Sequence, residues 1–596
     1  QRLEKLSEIL EQKRQENHIP GMALAVVKDG NIIFTQGFGW ADIEKREPMT
    51  PNHVFAIGSA SKAFTTTLIG MMVDEGRMTW DDPLTRFLPY FTMKPKSPDP
   101  DAVLTIRDCL THRSGFIRTN MIWLLSGLSR EEVLKKVTEA VPWMEFRKSF
   151  VYTNIMYMAA GVAAGKAGDS SWDTLIKKRI FAPLEMTHSF TLFDERPIEN
   201  LANGYIWDDV QKQNFRNPRR SMDNVGPAGS VNSTVLDMAK WIIFHLNNGK
   251  IGEESLLSEE SHNEMWSKQF DIGRGRYYGF GWFLRDWRGR PAIEHGGGID
   301  GFTTQVYMLP EENIGFVLLT NQTSSPFPAA AADLIWGILL EDADEPLPKA
   351  PVEKSAPSKN KISSETNNQS QALKIEEILA LRKPGERKAA LEKMGIIRIT
   401  GTATIPQSGL KGTLTWTIDG ADRHYQKQDY GSFGHLSVAV DGDSGQRMTY
   451  WLPLVELYGK YLDQGRQTNL LAVVGDWKDF FADIRFLRED NRDGQTIFRL
   501  QMTGGNSPPQ TVLVDSETGD ILSAGTQVLR LGSASRLPEA AIYKDYRDVN
   551  GIRFPFHITY SNNYLGQIIL EITKIETNLE DKNISFLVPG EPINKK

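Results

Sequence analysis

A chain of 596 residues is too long for a single core of ordinary size, so at least two domains are expected. Hydrophobic residues at 40% and charged residues at 24% exclude the disordered and fibrous classes. The formal net charge of -7 lacks the concentrated Lys and Arg excess that phosphate binding requires, which argues against nucleic acid as a partner.

From the first residue, Leu3, Leu6, Ile9 and Leu10 mark one face of a helix that ends before Pro20-Gly21. Two strands come next, Met22 to Val27 and Ile32 to Phe38, around a Lys28-Asp29-Gly30-Asn31 turn whose Asp-Gly pair suits a tight hairpin. Strand-like Val54 to Ile57 leads to a helical run from Ala63 to Glu75, and Tyr152-Thr153-Asn154 precedes a small-residue helix from Met156 to Gly168. A second hairpin, Thr303 to Leu309 and Ile314 to Thr320, precedes a helix from Ala329 to Glu341. Strands near both ends of a helix-rich middle predict an α/β (α+β) domain over 1–343, with one antiparallel sheet flanked by helices and the two ends of the domain paired in it.

Residues 344–372 are crowded with Pro, Lys, Ser and Asn and read as a flexible linker. A helix pair from Ala372 to Met394, interrupted at Lys383-Pro384-Gly385, opens the next domain. From Ile396 onward alternation dominates, as in Thr413 to Ile418, so 373–596 is predicted to be a separate, mainly antiparallel β domain. No apolar run reaches the roughly 18 residues that span a bilayer. The chain starts at Gln1 rather than Met, from which a removed targeting peptide and a periplasmic or secreted location are expected.

Cys109 is the one cysteine, which rules out an intrachain disulfide and a zinc site built on several thiolates; within Ile106-Arg107-Asp108-Cys109-Leu110 it reads as a small buried residue. His424, His435 and His557 lack the close spacing of a metal helix motif, so neither metal nor cofactor is expected.

Three stretches carry chemistry. Ser59-Ala60-Ser61-Lys62 opens the apolar helix, and a spacing of three puts hydroxyl and amine one turn apart on one face. A serine hydroxyl is a weak nucleophile until a base takes its proton, and a lysine can do so only with a depressed pKa. The same spacing recurs at Ser358-Lys359-Asn360-Lys361 in the linker and Ser408-Gly409-Leu410-Lys411 at a turn, without that helical context. Tyr152 is placed as a phenolate or as a relay that protonates the leaving group, and Asn154 as a donor to the substrate carbonyl or to Lys62. In Glu294-His295-Gly296-Gly297-Gly298, consecutive glycines let a substrate lie against the backbone, with Gly297 against it, Ser59 N–H and Gly298 N–H forming an oxyanion hole and His295 adding a donor or partial charge. His112 reads as a structural hydrogen-bonding residue.

In this order the three elements resemble the serine β-lactamase-related family, which includes class C β-lactamases, D-alanyl-D-alanine carboxypeptidases, D-aminopeptidases and esterases. Leu110-Thr111-His112-Arg113-Ser114-Gly115, Pro227-Ala228-Gly229-Ser230-Val231-Asn232-Ser233 and Tyr278-Gly279-Phe280-Gly281-Trp282 add to the likeness, which covers about residues 1 to 343. The resemblance implies a β-lactamase/transpeptidase-like fold, Ser59 as acylated nucleophile, Lys62 as its base or orienter, Tyr152 as general acid/base, and Asn154, His295 and Gly297 as substrate-binding groups. Which of Lys62 and Tyr152 takes the serine proton stays open. Where β-lactamases have Lys-Thr-Gly this chain has His295-Gly296-Gly297, so a permanent charge for a substrate carboxylate is missing and weak penicillin hydrolysis is expected.

The implied activity is hydrolysis of an ester or of a D-amino-acid peptide or amide, with a small-molecule or peptide acyl substrate and cell-envelope components as partners. The competing reading is a binding protein that holds envelope peptide or lipid without turnover. In the second domain, Asp422-Arg423-His424-Tyr425 and Tyr543 to Gly551 with Pro555 resemble bacterial lipoprotein carriers, which implies a curved sheet sheltering an apolar ligand, against the alternative of a sheet packed on its own helices.

Overall fold

The structure is a computed structural model that describes residues 1–124, 126–193, 198–340, 366–492, 494–533, 535–580 and 584–595. Its contacts divide the chain into two units: Gln1–Leu347 with Gly532–Ala534, and Pro348–Leu531 with Ser535–Lys596.

In the first unit the main sheet is built from β1 (Gly21–Lys28), β2 (Asn31–Asp42), β3 (Glu47–Pro48), β4 (Phe270–Gly273), β5 (Arg276–Tyr278), β6 (Phe283–Trp287), β7 (Arg290–Ile299), β8 (Phe302–Leu309) and β9 (Ile314–Thr320). Its order is β4-β5-β6-β7-β8-β9-β1-β2-β3. The two ends of the unit do pair: β1 runs antiparallel to β9 with Met22 opposite Thr320 and Val26 opposite Phe316. The β1–β2 turn has Asp29 and Gly30 both at positive φ, 50° and 74°, the conformation for which Asp-Gly is selected.

Strand β1 is buried along nearly its whole length because both faces of the sheet are covered. Met22, Leu24 and Val26 pack in one core with Leu6 and Leu10 of α1 (Arg2–Glu16) and with Ile335 and Trp336 near the end of the unit. The helix that carries the nucleophile motif, α2 (Ser61–Asp74), has its side chains buried all the way from Ser61 to Met72. Two of its polar positions are satisfied inside: Thr65 Oγ1 donates to Pro227 O at 2.6 Å, and Ser61 Oγ accepts from Val231 N at 3.0 Å. Next to it lies α3 (Asn154–Ala167), rich in Ala and Gly. A Cβ on Gly161 would come 2.3 Å from Pro227 Cβ, so only a glycine there lets the Pro227–Gly229 segment approach. A further helix, α4 (Phe327–Leu339), carries Ile335 and Trp336.

The second unit opens with α5 (Thr366–Leu381) and α6 (Pro384–Met394). Here the linker expectation is corrected: residues 366–372 belong to a helix, since nothing between Thr366 and Leu381 is proline or glycine and the helix propagates back from the apolar part. The rest of the expected linker, with Ser358-Lys359-Asn360-Lys361, lies outside the described residues. The break between the helices falls where it was read, with Lys383 at φ 48° and Pro384 in the first turn of α6. Arg382 fixes the pair to the sheet's surroundings, donating to Gly519 O, Val473 O and Gly475 O at 2.7 to 2.9 Å with its guanidinium 4.0 Å from the Trp477 ring.

Beyond α6 the chain forms one antiparallel sheet of thirteen strands among the described residues, almost all joined to their sequence neighbours; Ile397–Ile405 pairing with Gly566–Glu576 joins its two halves. In Arg423–Asp429 buried and less buried residues alternate strictly.

Candidate active site

Ser59 sits in a short 3-10 turn, Gly58–Ala60, that leads straight into α2. Gly58 has φ 53°, a left-handed conformation that a side chain would strain. One turn on, Lys62 is fully buried. Its Nζ lies 3.0 Å from Ser59 Oγ, 2.8 Å from Asn154 Oδ1 and 2.8 Å from Ala228 O. The Asn154 amide is oriented by Nδ2, which donates to Asn120 Oδ1 at 3.5 Å. Two of the three acceptors are carbonyls, which can do nothing but accept. A neutral amine has two N–H donors and one lone pair, so with both carbonyls served the lone pair is left facing the Ser59 hydroxyl.

Burial, with help from the nearby charge of Arg118, holds the Lys62 pKa well below its ordinary 10.5. None of the three acceptors is a carboxylate, so nothing in that set restores the charge. Burial also raises the Tyr152 phenol to about 12, against the opposing pull of its hydrogen bond with Ser59 and of the Arg118 charge. Tyr152 therefore keeps its proton. Lys62 Nζ is 4.8 Å from the Tyr152 ring centroid, and the Arg118 guanidinium is 4.9 Å from it. Hydroxyl and amine from one stretch and the phenol from another thus converge, as their sequence contexts had suggested.

Tyr152 is held by His112. The His112 Nδ1 accepts from Thr153 N at 3.2 Å, and its ring is 4.2 Å from the Tyr152 ring. Burial, the largest cause, keeps this imidazole neutral, with a pKa well below 6.5. Cys109, also fully buried, is a core residue.

The third stretch lies in β7. A Cβ on Gly297 would come 1.9 Å from Ile57 O and 3.1 Å from Ser59 N, and one on Gly58 would come 2.9 Å from Gly298 N. Two bare backbones therefore meet beside Ser59, bringing the Ser59 and Gly298 peptide groups into one small region. Gly298 itself has open space where a Cβ would be.

His295 departs from the expected role of substrate donor. It is 2% exposed, its Nδ1 donates to Gly296 O at 2.6 Å, and Nε2 receives the Tyr278 hydroxyl at 3.2 Å. Both ring nitrogens are thus already engaged within the protein. Burial takes its pKa down to about 3, so it carries no charge near neutrality. Tyr278 in turn lies 3.4 Å from the Tyr157 hydroxyl, which donates to Leu110 O at 2.7 Å. The imidazole is a strut between the glycine strand and this tyrosine pair.

Sequence reasoning missed three contributors: the Ala228 carbonyl, the Arg118 charge and the Tyr278 strut. Ala228 and Tyr278 lie in stretches that carry the family likeness, but a main-chain carbonyl leaves no side-chain signature. Arg118 has no spacing that marks it.

A model of the beta-lactamase family matches residues 6–340, more than half of the sequence. The chain belongs to the beta-lactamase family. Among curated relatives of this beta-lactamase-family chain, Protein flp of Staphylococcus aureus (strain MRSA252) is 26% identical over 331 residues, 54% of this chain and 64% of that protein. Unguisins hydrolase ungD' of Aspergillus campestris (strain IBT 28561) is 26% identical over 354 residues, 57% of this chain and 65% of that protein. The chain thus spans somewhat less than two thirds of the length of either relative. A solved structure, the octameric penicillin-binding protein homologue from Pyrococcus abyssi, superposes with a TM-score of 0.50 at 22% identity over 86% of this chain and 98% of that one, a likeness of fold. The chain has the β-lactamase and penicillin-binding-protein type of fold, followed by an antiparallel β domain.

Proposed function

We propose that this hydrolase cleaves an ester or a D-amino-acid amide or peptide through an acyl-enzyme on Ser59, and turns over β-lactams weakly or not at all. The observation that carries the reading is the Lys62 amine, buried without a carboxylate among its hydrogen-bond partners, with two carbonyls occupying its N–H donors and its lone pair left for Ser59 Oγ.

In the proposed acylation, Ser59 Oγ bonds to the acyl carbon as its proton moves to Lys62 Nζ. The carbonyl oxygen gains negative charge opposite the Ser59 and Gly298 N–H groups. As the bond to the leaving group breaks, Tyr152 gives that group its proton and recovers one from the Lys62 ammonium. Water then attacks the ester carbonyl in the reverse sense, losing a proton to Lys62 while Tyr152 reprotonates Ser59 Oγ, and the Lys62 ammonium returns its proton to Tyr152. Asn154 keeps the amine pointed at the serine throughout. His295 supports the Gly296–Gly298 strand, and because it is neutral it offers no fixed charge to the carboxylate of a penicillin.

A fluorophosphonate followed by peptide mass mapping tests the nucleophile: an adduct on Ser59 that disappears in Lys62→Ala supports it, whereas an adduct elsewhere or an unreactive serine contradicts it. A turnover screen of nitrophenyl esters, D-amino-acid amides and a chromogenic cephalosporin tests the substrate class. Faster turnover of the cephalosporin than of every ester and amide would reject the reading.

A further inference from the structure

The second unit contains a cavity of ≈ 220 Å³ that the hydrolase chemistry does not use. It is lined by residues two apart on single strands, such as Gln426 and Gln428, Thr526 and Val528, and Glu539, Ala541 and Tyr543. Such pairs share one face of a strand. Strands near opposite ends of the thirteen-strand order contribute to it, Ser444–Met448 at one end and Ile521–Val528 towards the other, so the sheet curls around the space. The short helix Lys460–Arg466 crosses it: Gln464 Nε2 donates to Gln527 O at 3.0 Å, and its Oε1 accepts from Leu529 N at 2.9 Å.

The wall holds a guanidinium with nothing to bond. Arg447 lines the cavity, and among the described residues it has no hydrogen bond or ion pair; the opposite charge it feels is that of Glu539. Glu539 is itself engaged by Asn562 Nδ2 at 3.1 Å, and burial raises its pKa. A carboxyl so raised tends toward the protonated donor form, which leaves the Arg447 charge less balanced. Gln426 Nε2, Thr526 Oγ1 and Trp451 Nε1, all in the same wall, are buried without a hydrogen-bond partner. Buried polar groups left open in this way are the exception in folded proteins and call for a missing partner. The Arg447 guanidinium and the Trp451 indole carry N–H donors only, so a partner for them must bring acceptors. The lining also has aromatic and aliphatic side chains, including Tyr450, Tyr543, Tyr560 and Ile568, beside polar ones such as Gln467 and Gln510.

We propose that this cavity is a binding site for a small, ring-bearing carboxylate, with the carboxylate on Arg447 and the ring among the tyrosines. A planar carboxylate matches the fork of a guanidinium, and the volume is below the roughly 300–1,000 Å³ of sites for drug-sized ligands, which favours a compact acid over a long chain. The site is independent of Ser59, and its occupancy does not require hydrolysis.

Fluorescence titration of the full chain with 2-naphthoate and its neutral isostere 2-naphthamide tests this. Naphthoate is expected to bind at least tenfold more tightly. Arg447→Met should remove that preference with ester hydrolysis unchanged, and Ala541→Trp, which fills the cavity, should abolish binding of both. Equal affinity for the two compounds, no binding, or a preference that persists in Arg447→Met would overturn the proposal. Should either variant fail to fold, a diazirine-bearing benzoate used on the wild-type protein decides the matter: labelling is expected within residues 426–468 or 524–568, and labelling confined to residues 1–340 would overturn it.

Discussion

Asn154 Oδ1 stands 2.8 Å from Lys62 Nζ across 92 residues of sequence, and it is an amide oxygen where a carboxylate would have been the commoner partner for a lysine. The difference decides the protonation state of the amine. An amide accepts a hydrogen bond without adding charge, so burial and Arg118 are left to lower the Lys62 pKa.

Replacing that amide with a carboxylate should reverse the effect. An opposite charge within ~4–6 Å raises an amine's pKa by roughly 1–3 units. In Asn154→Asp the acid limb of kcat/KM for an ester is therefore expected to move to higher pH by about that amount, with activity recovered in alkali. Asn154→Ala should lose activity without such recovery. Profiles of the two variants that coincide would show that Asn154 does not act through Lys62.

The wild-type pH profile carries a second expectation. Lys62 works as a base only when neutral, so kcat/KM should rise with pH through its depressed pKa, far below 10.5, and then level off. Tyr152, pushed up to about 12, stays protonated, so no fall is expected before the roughly pH 10 at which an ordinary tyrosine ionises. His295, at about 3, contributes no inflection near 6.5. Stability should change with pH in the same direction. Below pH 10.5 the unfolded chain holds a proton on Lys62 more readily than the folded one, so the wild type should gain stability relative to Lys62→Met as pH rises from the depressed folded pKa toward 10.5. Urea midpoints of both proteins across that range measure it; a pH-independent difference would mean that the folded amine is charged.

Much of this was legible in the sequence because local patterns had one physical reading. Asp29-Gly30 marked its hairpin, the apolar run after Ser59 marked a helix opening on a nucleophile, and Lys383-Pro384 marked a helix break. The hidden part depends on long-range packing. Nothing in residue order tells that Ala228 O completes the coordination of Lys62, since that contact requires Gly161 to let the Pro227 segment approach. The expected role of His295 needed correction for a similar reason: a glycine-flanked histidine reads as cleft-lining until Tyr278, from a different strand, is seen to occupy its second nitrogen.

That correction changes what His295→Lys is expected to do. From the motif alone the substitution should restore a charge for a penicillin carboxylate. In the structure it would bury an ammonium among Tyr278, Phe283 and Tyr152, where no anion is among the groups that His295 bonds or stacks against. A loss of several kcal/mol is expected, read as a lower unfolding midpoint, with no gain in penicillin acylation relative to ester. His295→Ala should cost less, about 1–3 kcal/mol for the unpaired Tyr278 hydroxyl. A lysine variant that acylates penicillin faster than the wild type would show that the side chain reaches the cleft.

Gly297 and Gly298 are neighbours with opposite tolerances. A methyl group on Gly297 would sit 1.9 Å from Ile57 O, a backbone atom that cannot swing aside, and the clash would push the glycine strand away from the turn that carries Ser59. Gly297→Ala is therefore expected to destabilise the first unit by about 1–3 kcal/mol, the usual range for overpacking, and to lower kcat by roughly 10²-fold or more through a widened oxyanion site. Gly298→Ala meets no protein atom within 4 Å and keeps its N–H, so its stability should match the wild type. Its effect should be confined to KM, because the added methyl points into open space beside the nucleophile. Thermal unfolding and ester kinetics on the two variants separate these outcomes. Equal loss of kcat in both would mean that the backbone contact with Ile57 and Ser59 does not set the geometry of the reaction.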